Sequence, residues 1–180
     1  MSFNLIEALQ QKLGYQPLHK IDPNTQVALD AESGASLLQQ AAITTVLMGM
    51  YRKYHEAKSS FDWGTNSTSL LQEIFDVKTD KVVMAVANYS HVGTDKAKIE
   101  MENVAIASNE IIHQEVKEPD WEKQKTFILD QRNNILVYLP PDVELGKLLD
   151  DETIDDRTHK MEGPVSGLMH VIEKVFSSSK

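Results

Sequence analysis

The run FDVKTDKVVMAVANYSHVGTDKAKIEMENVAIASNEIIHQE, Phe75 to Glu115, reads as a short helix, a four-residue bend and a long helix. Val82, Val83, Val86 and Tyr89 recur at helical spacing in the first. Ala97, Met101, Val104, Ala105, Ser108, Ile111, Ile112 and Glu115 do so in the second, a stripe broad enough to bury on two sides. A threonine stands where each helix needs a cap, Thr79 and Thr94, and a threonine hydroxyl can accept from the free N–H groups of a first turn. His91-Val-Gly-Thr is the bend between them.

Toward the N-terminus, Phe3, Ile6, Leu9 and Leu13 share one helical face, with Ser2 as cap and Gly14 as stop. Asp22-Pro23 reads as cap plus first helical residue, and that helix falters at Ser33-Gly34. A longer helix is expected from Ala35 to about Glu56, with Leu38, Ala42, Thr45, Val46 and Gly49 on one face and small residues that admit a close crossing. Lys58 to Ser69 is a serine-rich loop broken by Gly64; Ser67 or Thr68 can cap a short helix from Ser69 to Phe75. On the other side, Asp120 caps a helix carrying Trp121, Ile128, Ile135 and Leu139, which Pro140-Pro141 ends. A short piece with Leu145, Leu148 and Leu149 precedes the acidic run DDETIDD, and Gly163-Pro164 opens a last helix with Val165, Leu168, Met169, Ile172, Val175 and Phe176 aligned. No segment alternates with period two beyond a few residues. The expectation is an all-α fold, a compact array of about seven to nine helices. Residues 1–176 form a single domain and 177–180 a frayed tail. Gln40 to Met50 and Asn103 to His113 echo one another as small-residue helical middles, which raises a duplicated helix pair.

Composition removes several function classes. Cysteine is absent, so disulfides, thiolate metal sites and thiol nucleophiles are excluded. The net charge is −9, and 141–162 alone hold eight acids against three bases; nucleic acid and anionic membrane are unfavourable partners for such a surface. The N-terminus lacks the basic flank and apolar core of a secretory signal, and a cytoplasmic protein is expected. No G-x-G-x-x-G, P-loop or H-E-x-x-H motif is present, and no cofactor is expected.

Two sets of residues carry a chemical reading. Glu110-Ile-Ile-His113 places a carboxylate and an imidazole on one helix face, the spacing that di-iron carboxylate bundles use twice. Asp156-Arg-Thr-His159 is its only echo, and Glu73 or Glu102 can add carboxylates; the plain alternative is a solvent-facing or ion-paired edge. Phe61 and Trp63 are two aromatics in a polar loop, and such residues either anchor an interface or pin the loop to the core.

The run from Phe75 to Lys98 resembles the repeating pattern of the YidB-like family of bacterial proteins of unknown function, and Ala41 to Met50 resembles that family's other small-residue helix. The likeness covers about half the chain; His91 stands where the family usually has glycine, and the acidic C-terminal third has no counterpart. What the resemblance implies is a compact all-helical bacterial protein with no catalytic residue to carry over. The expected function is a non-enzymatic interaction or self-associating module, with a protein partner or a homo-oligomer. The alternatives are a metal-dependent enzyme using Glu110 and His113, and a small-molecule carrier with its pocket between the small-residue helices.

Overall fold

Every residue from Gln40 to Met50 is buried, and five other helices pack around that run. The structure is a computed structural model that describes residues 3–21, 34–61, 63–64, 69–116 and 120–151. In chain order these form α1 (Leu5–Leu13), α2 (Gly34–Glu56), α3 (Leu70–Phe75), α4 (Thr79–Ser90), α5 (Thr94–Glu115), α6 (Trp121–Asp130), α7 (Arg132–Leu136) and α8 (Leu145–Leu149). The described residues are all helical with no strand, as expected. Among the described residues the count is slightly below expectation: six helices have six residues or more, while α7 and α8 are five-residue turns. The segments expected to start at Asp22 and Gly163, and the tail 177–180, lie outside the described residues.

Helix α2 is packed by α3, α4, α5, α6 and α7, and α1 lies against α5. One hydrophobic core runs from Leu5 on α1 to Leu149 on α8. A helix enclosed on all sides needs small residues and internally satisfied polar groups; Gly49 meets the first need, and Gln40 and Thr44 meet the second. A Cβ on Gly49 would lie 2.4 Å from Cε1 of Phe75 and 2.6 Å from Cγ2 of Ile74, so glycine lets α3 reach the α2 backbone. The Thr44 hydroxyl donates to the Gln40 carbonyl at 2.8 Å. Gln40 Nε2 donates to the carbonyls of His19 and Tyr138, both at 2.9 Å, and its Oε1 accepts from the His19 N–H at 3.0 Å. The Thr45 hydroxyl is buried without a partner.

The helix ends show where local sequence signals held. Gly14 stops α1 in the left-handed region at φ 70°, and the Asp120 carboxylate caps α6 by accepting from Glu122 N and Lys123 N. Asn4 caps α1; Ser2 lies outside the described residues. The two threonine caps are corrected. A 3₁₀ turn, Asp76–Lys78, runs straight into α4, and Thr79 instead donates back to the carbonyls of Asp76 and Leu71, closing the end of α3. Gly93 occupies the cap position of α5 with extended backbone, which puts Thr94 inside the first turn. His91 adopts φ 54° at the end of α4, and its N–H reaches the Ala87 and Asn88 carbonyls. That is a conformation glycine takes at lower cost, although histidine is among the residues that visit it.

The helix expected over Trp121 to Leu139 is split at Gln131. This buried side chain reaches α1, accepting from Leu5 N at 3.1 Å and donating to the Phe3 carbonyl at 3.1 Å. Long-range side-chain bonds thus decide a boundary that periodicity missed.

Overpacking a core costs about 1–3 kcal/mol, whereas replacing a helical glycine by alanine gains about 1 kcal/mol. Phe75 and Ile74 are each 2% exposed and cannot step aside, so the clash wins. Gly49→Ala is expected to destabilise by about 2 kcal/mol. The check is a lower urea midpoint at unchanged slope; an unchanged midpoint would show that α3 does not sit on this glycine.

Candidate functional site

Trp63 is 8% exposed and Phe61 half-buried, and both join a cluster with Tyr54 of α2 and Trp121 of α6. Phe61 meets Trp63 edge-on at 4.7 Å between ring centroids and Trp121 at 4.6 Å, while Tyr54 stacks on Trp121 at 5.0 Å. Trp63 Nε1 donates to the Tyr54 hydroxyl at 3.1 Å. These are the offset and edge-on contacts that aromatic quadrupoles favour. These contacts hold Phe61 and Trp63 against α2 and α6, the second of the two roles open to them. Trp63→Ala is expected to cost about 3 kcal/mol of stability, read by chemical denaturation; a variant of wild-type stability would place Trp63 outside the core.

Glu110 and His113 both lie on the exposed face of α5. Glu110 is tied to Lys12 of α1 by an ion pair at 3.0 Å. The carboxylates considered as companions are engaged elsewhere. Glu73 accepts from Gly64 N at 2.8 Å. Glu102 accepts from Ser69 Oγ at 2.8 Å and Leu70 N at 2.6 Å, so α5 caps the first turn of α3. Among the described residues no three His, Asp or Glu side chains stand together as a metal-ligand group. Asp156 and His159 lie outside the described residues.

A different surface stands out along α5. Ile99 is 63% exposed and Ile106 45% exposed, two large apolar side chains seven residues apart on a face that should be polar. Ile99, Asn103, Ile106, Glu110 and His113 follow each other at alternating steps of four and three, which makes one straight seam. Beside it lies an open groove of about 650 Å³ between the end of α1 and α5, lined also by Gln39 of α2. Lys12, Leu13 and Tyr15 form one wall, and Glu100, Asn103 and Ile106 the other. The walls are stitched by the Lys12–Glu110 pair and by a hydrogen bond from the Tyr15 hydroxyl to the Glu100 carboxylate.

Burial, and then the hydrogen bond and charge of Glu100, hold the Tyr15 hydroxyl well above its ordinary pKa of 10.0. A raised folded-state pKa means the folded protein keeps the proton longer than the unfolded chain. The stabilisation is therefore complete below pH 10.0 and is lost as pH rises from there toward the folded-state value. Denaturant midpoints measured from pH 9 to 11.5 should fall in the wild type; Tyr15→Phe should flatten that fall, and an equally steep fall in the variant would remove the link.

Sequence reading missed this site although a trace of it was visible: Ile99 and Ile106 fall outside the apolar stripe and share one heptad step. The contribution of Lys12 and Tyr15 could not be seen, because they reach α5 only after α1 folds against it. Comparison with known proteins finds no matching family model, no matching curated protein and no matching solved structure.

Proposed function

We propose that the protein is a helical interaction module that binds another protein chain along the outer face of α5 and the adjoining groove. The observation carrying this reading is the exposed pair Ile99 and Ile106 in a straight seam beside an open cleft. Apolar side chains of that size gain free energy when covered, and a seam with four–three spacing fits the face of a helix. The polar rim of Lys12, Gln39, Asn103 and Glu110 supplies the hydrogen-bonding border usual around an apolar centre. A net charge of −9 favours a protein partner over a nucleic acid. Membership of the YidB-like family, suggested by the runs Phe75–Lys98 and Ala41–Met50, is part of this proposal. A duplicated helix pair would account for α2 and α5 packing on each other, with α2 enclosed and α5 keeping one side open.

The carrier reading is less well supported. Its pocket was expected between the small-residue helices, where α2 is instead covered to contact and Gly49 lacks room for a methyl. The groove has the volume of a ligand site, about 300–1,000 Å³, but it is wide open with charged walls.

The test pairs binding with stability. Ile99→Ser/Ile106→Ser should leave the urea midpoint within about 0.5 kcal/mol of wild type, as surface changes usually do. The same variant should lose association, whether with itself in sedimentation or with a partner on an affinity matrix. Association undiminished in the folded double variant would refute the α5 face as the binding surface.

A further inference from the structure

Resting on that reading, we infer that the chain which covers the α5 seam is a second copy of this protein, set antiparallel across a twofold axis at Asn103. The first reason is register. Placing the axis beside Asn103 brings Ile99 of each copy against Ile106 of the other, because the two isoleucines lie on either side of Asn103 at nearly equal steps. Both exposed isoleucines of α5 are then covered, and by each other. A partner of different sequence would have to supply this pattern independently; a second copy supplies it by symmetry.

The second reason is charge. Lys96 lies at the N-terminal end of the seam and Glu110 toward its C-terminal end, and both are exposed. Antiparallel pairing sets Lys96 of one copy beside Glu110 of the other, twice. Asp95, at the same end as Lys96, comes to the opposite flank, where His113 of the second copy lies. A parallel arrangement would stack Lys96 on Lys96 and Glu110 on Glu110. The sequence of charges along α5 therefore selects one orientation, as flanking charges do in paired helices.

The third reason is Asn103, an exposed polar residue between two isoleucines. Its side-chain amide carries both donors and an acceptor, so two copies facing each other at the axis can bond reciprocally. An asparagine at such a seam position fixes register at some cost in affinity. The contact spans about 25 Å of helix from Lys96 to His113 and has two isoleucines per copy, which suits a reversible dimer.

The absence of cysteine makes the test clean. Three single-cysteine variants of the full chain are oxidised: Asn103→Cys, Ile99→Cys and Ile106→Cys. The expected result is a disulfide-linked dimer from Asn103→Cys alone. Ile99→Cys mixed with Ile106→Cys should give a crosslinked heterodimer in preference to either homodimer. Homodimers from Ile99→Cys alone would overturn the antiparallel register. In sedimentation equilibrium, Lys96→Glu, which sets like charges beside Glu110 of the second copy, should weaken self-association about tenfold; undiminished self-association would overturn the orientation argued from charge. A strictly monomeric wild type would overturn the second copy as occupant. The interaction reading would survive that result if Ile99→Ser/Ile106→Ser still abolished binding of a foreign protein, and would fall with it if it did not.

Discussion

The enclosure of α2 between Gln40 and Met50 is the constraint on which the rest of the structure depends. A helix buried on every side satisfies its own backbone, but its side chains must then meet five neighbours without leaving voids and with few stranded polar groups. Gly49 admits the ring of Phe75, and Gln40 converts the one amide in the run into a three-way clamp on the backbones at His19 and Tyr138. Those contacts join the segment after α1 and the segment after α7 to one side of α2. Gln131 does the same for the start of α1, reaching Phe3 and Leu5 from the break between α6 and α7.

Enclosing α2 leaves α5 in the outer layer. One side of α5 completes the cover, with Met101, Val104, Ala105 and Ile112 fully buried, and the opposite side faces out along its length. Its polar groups do two kinds of work. Glu102 reaches across to cap α3, and Glu100 and Glu110 hold the end of α1 through Tyr15 and Lys12. The groove is the space left where α1 ends at Gly14 and the chain turns away. The outer face of α5 is therefore stitched at its margins and open along its ridge, where Ile99 and Ile106 remain uncovered. That combination of a fixed backbone and uncovered apolar side chains is what a docking surface needs, since little ordering entropy is left to lose on binding.

Much of this was legible in the chain. The absence of period-two runs and the recurrence of apolar residues at helical spacing gave an all-helical protein, and the buried residues of α4 and α5 largely match the stripes read from sequence. Gly14 and Asp120 marked helix ends because their effects are local: a left-handed residue and a carboxylate two or three residues from its N–H partners. Thr79 and Thr94 misled because a hydroxyl can serve either a helix beginning or one just ended, and the 3₁₀ turn and Gly93 decided between them. Phe61 and Trp63 fitted either an interface or a loop anchor, and their packing partners include Trp121, nearly sixty residues further along the chain.

The sequence by itself determined the all-helical class, where several helices stop and that thiol chemistry is absent, because apolar periodicity, turn geometry and residue inventory are local properties. Only the tertiary structure decided which faces remain uncovered. Leu38 and Ile99 are equally apolar in the chain, yet one is 2% exposed and the other 63% exposed. The difference lies in how many neighbours each helix acquires: α2 is surrounded, and α5 stands at the edge with one face exposed.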